Sequence, residues 1–223
     1  SIGEKMSSFG ADLTKNVTGP ILAVGAASLK AFDEVDGAYD TVIKKTGATG
    51  EALKGMTDIV NDIATDIPTS FENAAQSVGE VNTRFGLTGD ALKELSKQFV
   101  EFADLNDTDV SSSIDTVQKA LSAFGLGAES AGALLDRLNK VGQDTGISVD
   151  KVASGLVSNA AAFKEMGLSI DEAATFMGQL EKSGANIESV MGGLSKALKN
   201  ATSEGKPLDQ ALSELQDPIE NGT

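Results

Sequence analysis

The stretch "FGLTGDALKELSKQF" (Phe85–Phe99) opens on a glycine turn and runs on as an amphipathic helix. After Gly86, residues Leu92, Leu95 and Phe99 recur at spacings that bring them to one helix face. "FGLGAESAGALLDRL" (Phe124–Leu138) and "MGLSIDEAATFMGQL" (Met166–Leu180) repeat that order, and "TGATGEAL" (Thr46–Leu53) is an earlier, looser copy. Repetition on this scale decides an architecture, because one short unit cannot bury its apolar side alone and must stack on its neighbours.

The turn glycines set the register: Gly47, Gly86, Gly125 and Gly167, with steps of 39, 39 and 42 residues. Counting forward, positions +6, +9, +13 and +16 give Leu53/Met56/Val60/Ile63, Leu92/Leu95/Phe99/Phe102 and Ala131/Leu134/Leu138/Val141. The fourth copy gives Ala173/Phe176/Leu180 and then Ser183, so its stripe decays. Counting backward, position −15 is Phe32, Phe71, Val110 and Val152. Position −8 is Tyr39, Val78, Val117 and Asn159, and position −1 is Thr46, Phe85, Phe124 and Met166. Each unit therefore reads as helix, glycine turn, helix: glycine takes the left-handed conformation that stops one helix, and a capping residue starts the next.

Helix starts carry signals of their own. "TSFE" (Thr69–Glu72) and "SIDE" (Ser169–Glu172) have capping-box spacing; Pro68 closes what precedes the first, and Pro207 in "GKPLDQAL" suits a last helix's first turn. Sustained β-alternation is absent. The expected fold is all-α: successive helical hairpins of about 40 residues, helix–Gly turn–helix, packed into a helical-repeat-like bundle. Residues 1–30 read as a helical lead-in, 31–200 as the hairpin core, and 201–223 as the truncated start of a further helix.

Composition fits that architecture. The 223 residues allow a substantial core, and with 4% aromatics and no Trp it must be built from Leu, Val, Ile, Ala and Met. Met166, Met177 and Met191 fall on or near apolar stripes and read as core filler. The net charge of −15 and the lack of any Lys/Arg cluster argue against direct nucleic-acid binding; the surplus keeps a helical surface solvated. Zero Cys excludes disulfides and thiolate sites and fits a reducing compartment. The chain begins with Ser and stops within "DPIENGT", which reads as a piece of a longer or processed protein. No signal peptide is evident, and the most apolar run, "ILAVGAASL" (Ile21–Leu29), is shorter than the roughly 20 residues a span needs.

Reaction chemistry finds little footing. There is no His, so the commonest general base and metal ligand is missing. The densest acidic patch, "EFADLNDTDV" (Glu101–Val110), holds Glu101, Asp104, Asp107 and Asp109. Asp104, Asn106 and Thr108 begin an oxygen-ligand alternation, which fails for want of the sharp-turn glycine a calcium loop needs. It reads instead as an inter-helix loop capped by Thr108 or Asp109. "GLGAESAG" (Gly125–Gly132) lacks nucleotide-loop spacing and no strand precedes it. Glycosylation-type triplets at Asn16, Asn106, Asn200 and Asn221 read as chance. Catalytic residues, cofactor-binding residues, metal ligands and cofactors are therefore each expected to be none, and the chain is expected not to be an enzyme.

"AFDEVDGAYDTVIKKTGATGEALKGM" (Ala31–Met56), "FGLTGDAL", "AFGLGAESAGALLDRL" and "GISVDKVASGLVSNAAAFKEMGLSIDEAATFMGQLEKSGANIES" in that order resemble the core region of phage tail tape measure proteins. "GGLSKALKNATSEGKPLDQALSEL" (Gly192–Leu215) resembles the family's continuation, so the likeness covers roughly residues 20–215; residues 1–20 match loosely. The resemblance implies a structural virion component. It would be a fragment of the protein that sets tail length, occupies the tail tube and leaves ahead of the DNA. Tail tube proteins, other tail proteins and tail assembly chaperones would be its partners, with assembly in the bacterial host cytoplasm and residence in the virion tail. Self-association is open, and membrane contact would be possible only through other parts of the full protein. Because this segment folds back about every 40 residues, it is expected to be a compact or partly extended helical module embedded in the ruler, able to unravel within the tube or on exit, rather than the ruling stretch. The alternative from the residues alone is a non-catalytic helical-repeat module presenting a groove to a protein partner. A membrane-perturbing segment would rest only on Ile21–Leu29.

Overall fold

The computed structural model describes residues 27–205, with side chains at 34–201, 203 and 205. The run Ile21–Ala26, Asn16, Asn221, Pro207 and the side chain of Phe32 lie outside the described residues.

Among the described residues, nine α-helices follow one another: α1 (Ala27–Thr46), α2 (Gly50–Asp66), α3 (Phe71–Phe85), α4 (Gly89–Asn106), α5 (Val110–Phe124), α6 (Ala131–Thr145), α7 (Val149–Glu165), α8 (Ile170–Ser183) and α9 (Ile187–Glu204). A 3₁₀ turn, Ala128–Ser130, leads into α6. No strand occurs among the described residues. Helices separated by one in sequence pack side by side: α1, α3, α5, α7 and α9 form one layer, and α2, α4, α6 and α8 the other. Consecutive helices cross between layers, so each hairpin packs chiefly on its neighbours, as in a solenoid.

The apolar register explains this packing. Leu53, Val60 and Ile63, Leu92, Phe99 and Phe102, and Leu134, Leu138 and Val141 are all buried, as are Val78 and Val117 on the facing layer. These residues belong to one continuous core. The Phe85–Phe99 stretch closes on itself: the rings at its two ends stack with centroids 6.1 Å apart. Further along, Phe163 and Phe176 meet edge to face at 6.0 Å in the α7–α8 pair. Such contacts add about 1 kcal/mol to the burial itself.

The left-handed residue that ends a helix does so by hydrogen bonding. Gly86 (φ 69°) donates its N–H to the Asn82 carbonyl, and at Gly125 (φ 77°) the next amide, Leu126, reaches back to Leu121 at 2.9 Å. Asp107 (φ 52°) ends α4 the same way, with Thr108 N donating to Ala103 at 2.9 Å, and is the one non-glycine at positive φ among the described residues. The structure adds Gly205, which ends α9 at φ 64° and stands 38 residues beyond Gly167.

Two expectations change in detail, the cap of α3 and the backward count in the fourth unit. The cap of α3 is Ser70, whose side chain accepts from Asn73 N, and not Thr69; Glu72 is drawn to the Thr41 hydroxyl at 3.1 Å instead of closing a box. The 42-residue step exceeds 39 because α7 is two residues longer than α5 and Met166 stands between its end and Gly167. A backward count from Gly167 therefore lands on half-buried Asn159, whereas the position equivalent to Val117 is fully buried Leu156, 39 residues on. The fourth stripe decays because α8 ends at Ser183; Phe176 and Leu180 are half-buried but still packed on the core. The second capping box forms: Ser169 accepts from Glu172 N, and Glu172 accepts from Ser169 N at 2.9 Å.

Candidate functional site

The acidic patch does not converge. Glu101 and Asp104 point outward from α4, Asp107 is spent on its left-handed turn, and Asp109 caps α5 by accepting from Ser112 N at 2.8 Å. Among the described residues no group of three or more acidic side chains could hold a metal ion. Asn106 is engaged on both sides, donating to the Phe102 carbonyl and to Asn139 Oδ1 at 2.7 Å on α6. In "GLGAESAG", the Gly127 amide that a phosphate would need already donates to the chain's own Glu129 carboxylate at 3.2 Å. The Ser96 hydroxyl is buried and has no hydrogen-bond partner among the described residues, and the chain contains no histidine to activate it.

The depressions on the surface are open grooves between adjacent helices. One of about 410 Å³ runs along α7 and α8 past Ser154, Gly155, Ser158 and Met177; another of about 420 Å³ lies beside Arg137, Asp171 and Phe176. A third, between α4 and α6, holds Leu105, which is 66% exposed. Among the described residues no helix is long and apolar enough to cross a membrane.

What the residues do assemble is a ladder of ion pairs across one layer. Lys45 of α1 reaches Glu80 of α3 at 2.6 Å, Glu80 also takes Arg84 at 2.5 Å, Arg84 reaches Asp115 of α5 at 2.8 Å, and Asp115 takes Lys119 at 2.6 Å. Glu80 is mostly enclosed, its side chain 15% exposed. Burial alone would raise its pKa, but the hydrogen bonds from Lys45 and Arg84 outweigh it and hold the carboxyl below the usual range. Asp115 is likewise held low, first by its hydrogen bond from Lys119. Carboxylates held low and paired brace helices; a proton-transfer catalyst would be pushed toward neutrality. Reading the sequence for chemistry missed this ladder, although the signal was present: Glu80/Arg84 and Asp115/Lys119 are four apart, and Lys45/Arg84 and Glu80/Lys119 are 39 apart.

The sequence that builds this braced array is similar to known proteins. A profile of the family described as phage-related minor tail protein matches residues 57–222. The chain belongs to that family. It is also 27% identical over 214 residues to the tape measure protein of Pneumococcus phage Dp-1, covering 96% of this chain and 18% of that protein. The tape measure resemblance read from the ordered turns thus holds along nearly the whole chain, while the chain spans under a fifth of that relative's length. In this phage tail family member, the ladder, the stacked rings and the caps all serve to hold helix on helix.

Proposed function

We propose that this chain is a folded helical-repeat segment of a tape measure protein, a structural part of a phage tail that works without a reaction centre. The observation that carries the reading is the likeness to a tape measure protein over 96% of the chain, laid on a fold in which Lys45, Glu80, Arg84 and Asp115 tie helix to helix and Asp109 caps α5. Its partners would be the tail tube and other tail proteins, with tail assembly chaperones during assembly in the host cytoplasm.

Geometry bears on which part of a ruler this is. A 39-residue unit drawn out as one helix would span about 58 Å at roughly 1.5 Å per residue. Folded as stacked hairpins, the same unit advances the array by about one interhelical spacing, roughly 8–10 Å. A segment folded this way adds little length per residue, so the module sits within the ruler and the ruling is done elsewhere. The test is an in-frame deletion of one unit, residues 86–124, from the full protein, with tail length measured by electron microscopy. A change of about 10 Å or less is expected; shortening by about 58 Å would sink the reading.

A further inference from the structure

The last helix keeps its apolar face without the full cover its predecessors enjoy. On α7, Val149, Val152 and Leu156 are buried. The positions 38 residues on, Ile187, Val190 and Leu194 of α9, are equally apolar yet only half-buried. A notch lies beside them. On α7, Gly155 makes room for α8: a Cβ there would collide with the terminal methyl of Met177. Its counterpart on α9 is Gly193, again a glycine, and no described atom lies within 4 Å of the Cβ it lacks.

The sequence beyond Gly205 carries matching parts at the same 38-residue step. The buried residues of α8 are Ile170, Ala173, Ala174, Met177 and Gly178; the first four have the apolar counterparts Leu208, Ala211, Leu212 and Leu215, and Gly178 alone is replaced by a polar residue, Gln216. Asp171 in the first turn of α8 corresponds to Asp209, and Gly205 turns the chain at φ 64° as Gly167 does at φ 74°. Pro218 falls where α8 has Leu180, so the stripe stops at Asp217.

We propose that the open face of α9 is the seat of this chain's own residues 208–217, which dock as the next helix of the second layer, with Leu215 in the notch at Gly193 as Met177 sits at Gly155. The occupant is the chain itself because the spacing, the apolar positions and the glycine notch all advance by one constant step. A foreign protein would have no reason to keep that register, and a second copy's segment would compete with one already tethered beside the face. This inference is independent of the tail role.

The experiment compares Leu212→Asp and Leu215→Asp with Ser213→Asp, which lies off the stripe, in the whole 223-residue chain at concentrations where it is monomeric. Amide hydrogen exchange is read over α9. Both stripe variants are expected to speed exchange in residues 187–204 by about tenfold or more, with Ser213→Asp and the exchange of α1–α5 unchanged. Because only the end of the array is touched, the rest of the chain stays folded and serves as the internal control. Protection of α9 that is the same in all three variants overturns the proposal. So does protection that appears only on dimerisation and is lost in Leu194→Asp but not in Leu215→Asp, since a second copy would then be the cover.

Discussion

The two ends of the array share one apolar register and differ in what fastens it. From α1 to α5 the helices of the first layer are tied by Lys45, Glu80, Arg84, Asp115 and Lys119. One step further along, the positions of Arg84, Asp115 and Lys119 are held by Ala123, Ser154 and Ser158, so the ladder stops. The helices nevertheless go on stacking, α5 on α7 and α7 on α9, without it. Apolar periodicity therefore sets the architecture, and charge is local reinforcement laid over it. Nearest-neighbour stacking of this kind lets each end have its own stability.

The largest expected effect tests that separation at one register position. Phe99 and Leu180 both stand 13 residues after their turn glycine; Phe99 is fully buried and Leu180 half-buried on a shorter helix. Phe99→Ala also removes the stack with Phe85 and should cost about 3–5 kcal/mol, whereas Leu180→Ala should cost roughly 1 kcal/mol. Urea unfolding followed by circular dichroism would measure both. Equal losses would mean that Leu180 is held as firmly as Phe99 and that the two ends of the array are not distinct.

The middle-sized effect concerns the ladder and acid. Glu80 and Asp115 have pKa values lowered by folding from ordinary values of 4.5 and 3.8. Their contribution is therefore complete above those unfolded values and is lost as pH falls through the lower folded ones. Stability should fall below about pH 4.5 in the wild type. Glu80→Gln leaves Lys45 and Arg84 without their shared carboxylate and should cost about 1–2 kcal/mol at pH 7. The variant's acid slope should also be shallower over that window. A variant that matches the wild type at both pH 7 and pH 3 would show that the ladder contributes nothing to stability.

Much of this was legible in the sequence because glycine turns and apolar spacing are local signals that repeat. Gly47, Gly86, Gly125 and Gly167 all take positive φ, and three of the four forward stripes are buried throughout. The slips have one kind of cause. A count from a turn assumes equal helix lengths, and the longer α7 moved Asn159 into a slot that belongs to Leu156. Ser70 displaced Thr69 because adjacent hydroxyls offer the same chemistry and only the chain's path decides which meets Asn73 N. The ladder stayed hidden since its ties between helices join residues 31 or more apart, a distance that is meaningful only once the layer is assembled.

The smallest effect asks how far a turn depends on its residue. Asp107 occupies the left-handed position that glycine holds 39 residues later at Gly146, and its backbone makes the same kind of helix-ending bond. A side chain in that region costs about 1–2 kcal/mol, less for Asp, which tolerates it better than most residues. Asp107→Gly should thus raise stability by about 0.5–1 kcal/mol, reduced somewhat by glycine's greater freedom when unfolded. The reverse change, Gly146→Asp, should lower it by a similar amount, and thermal melts of the two variants would read the pair. If both changes destabilise, Asp107 is held there by something the turn alone does not explain, such as the exposed end of α4 beside Leu105, and the two turns are not interchangeable parts of one repeat.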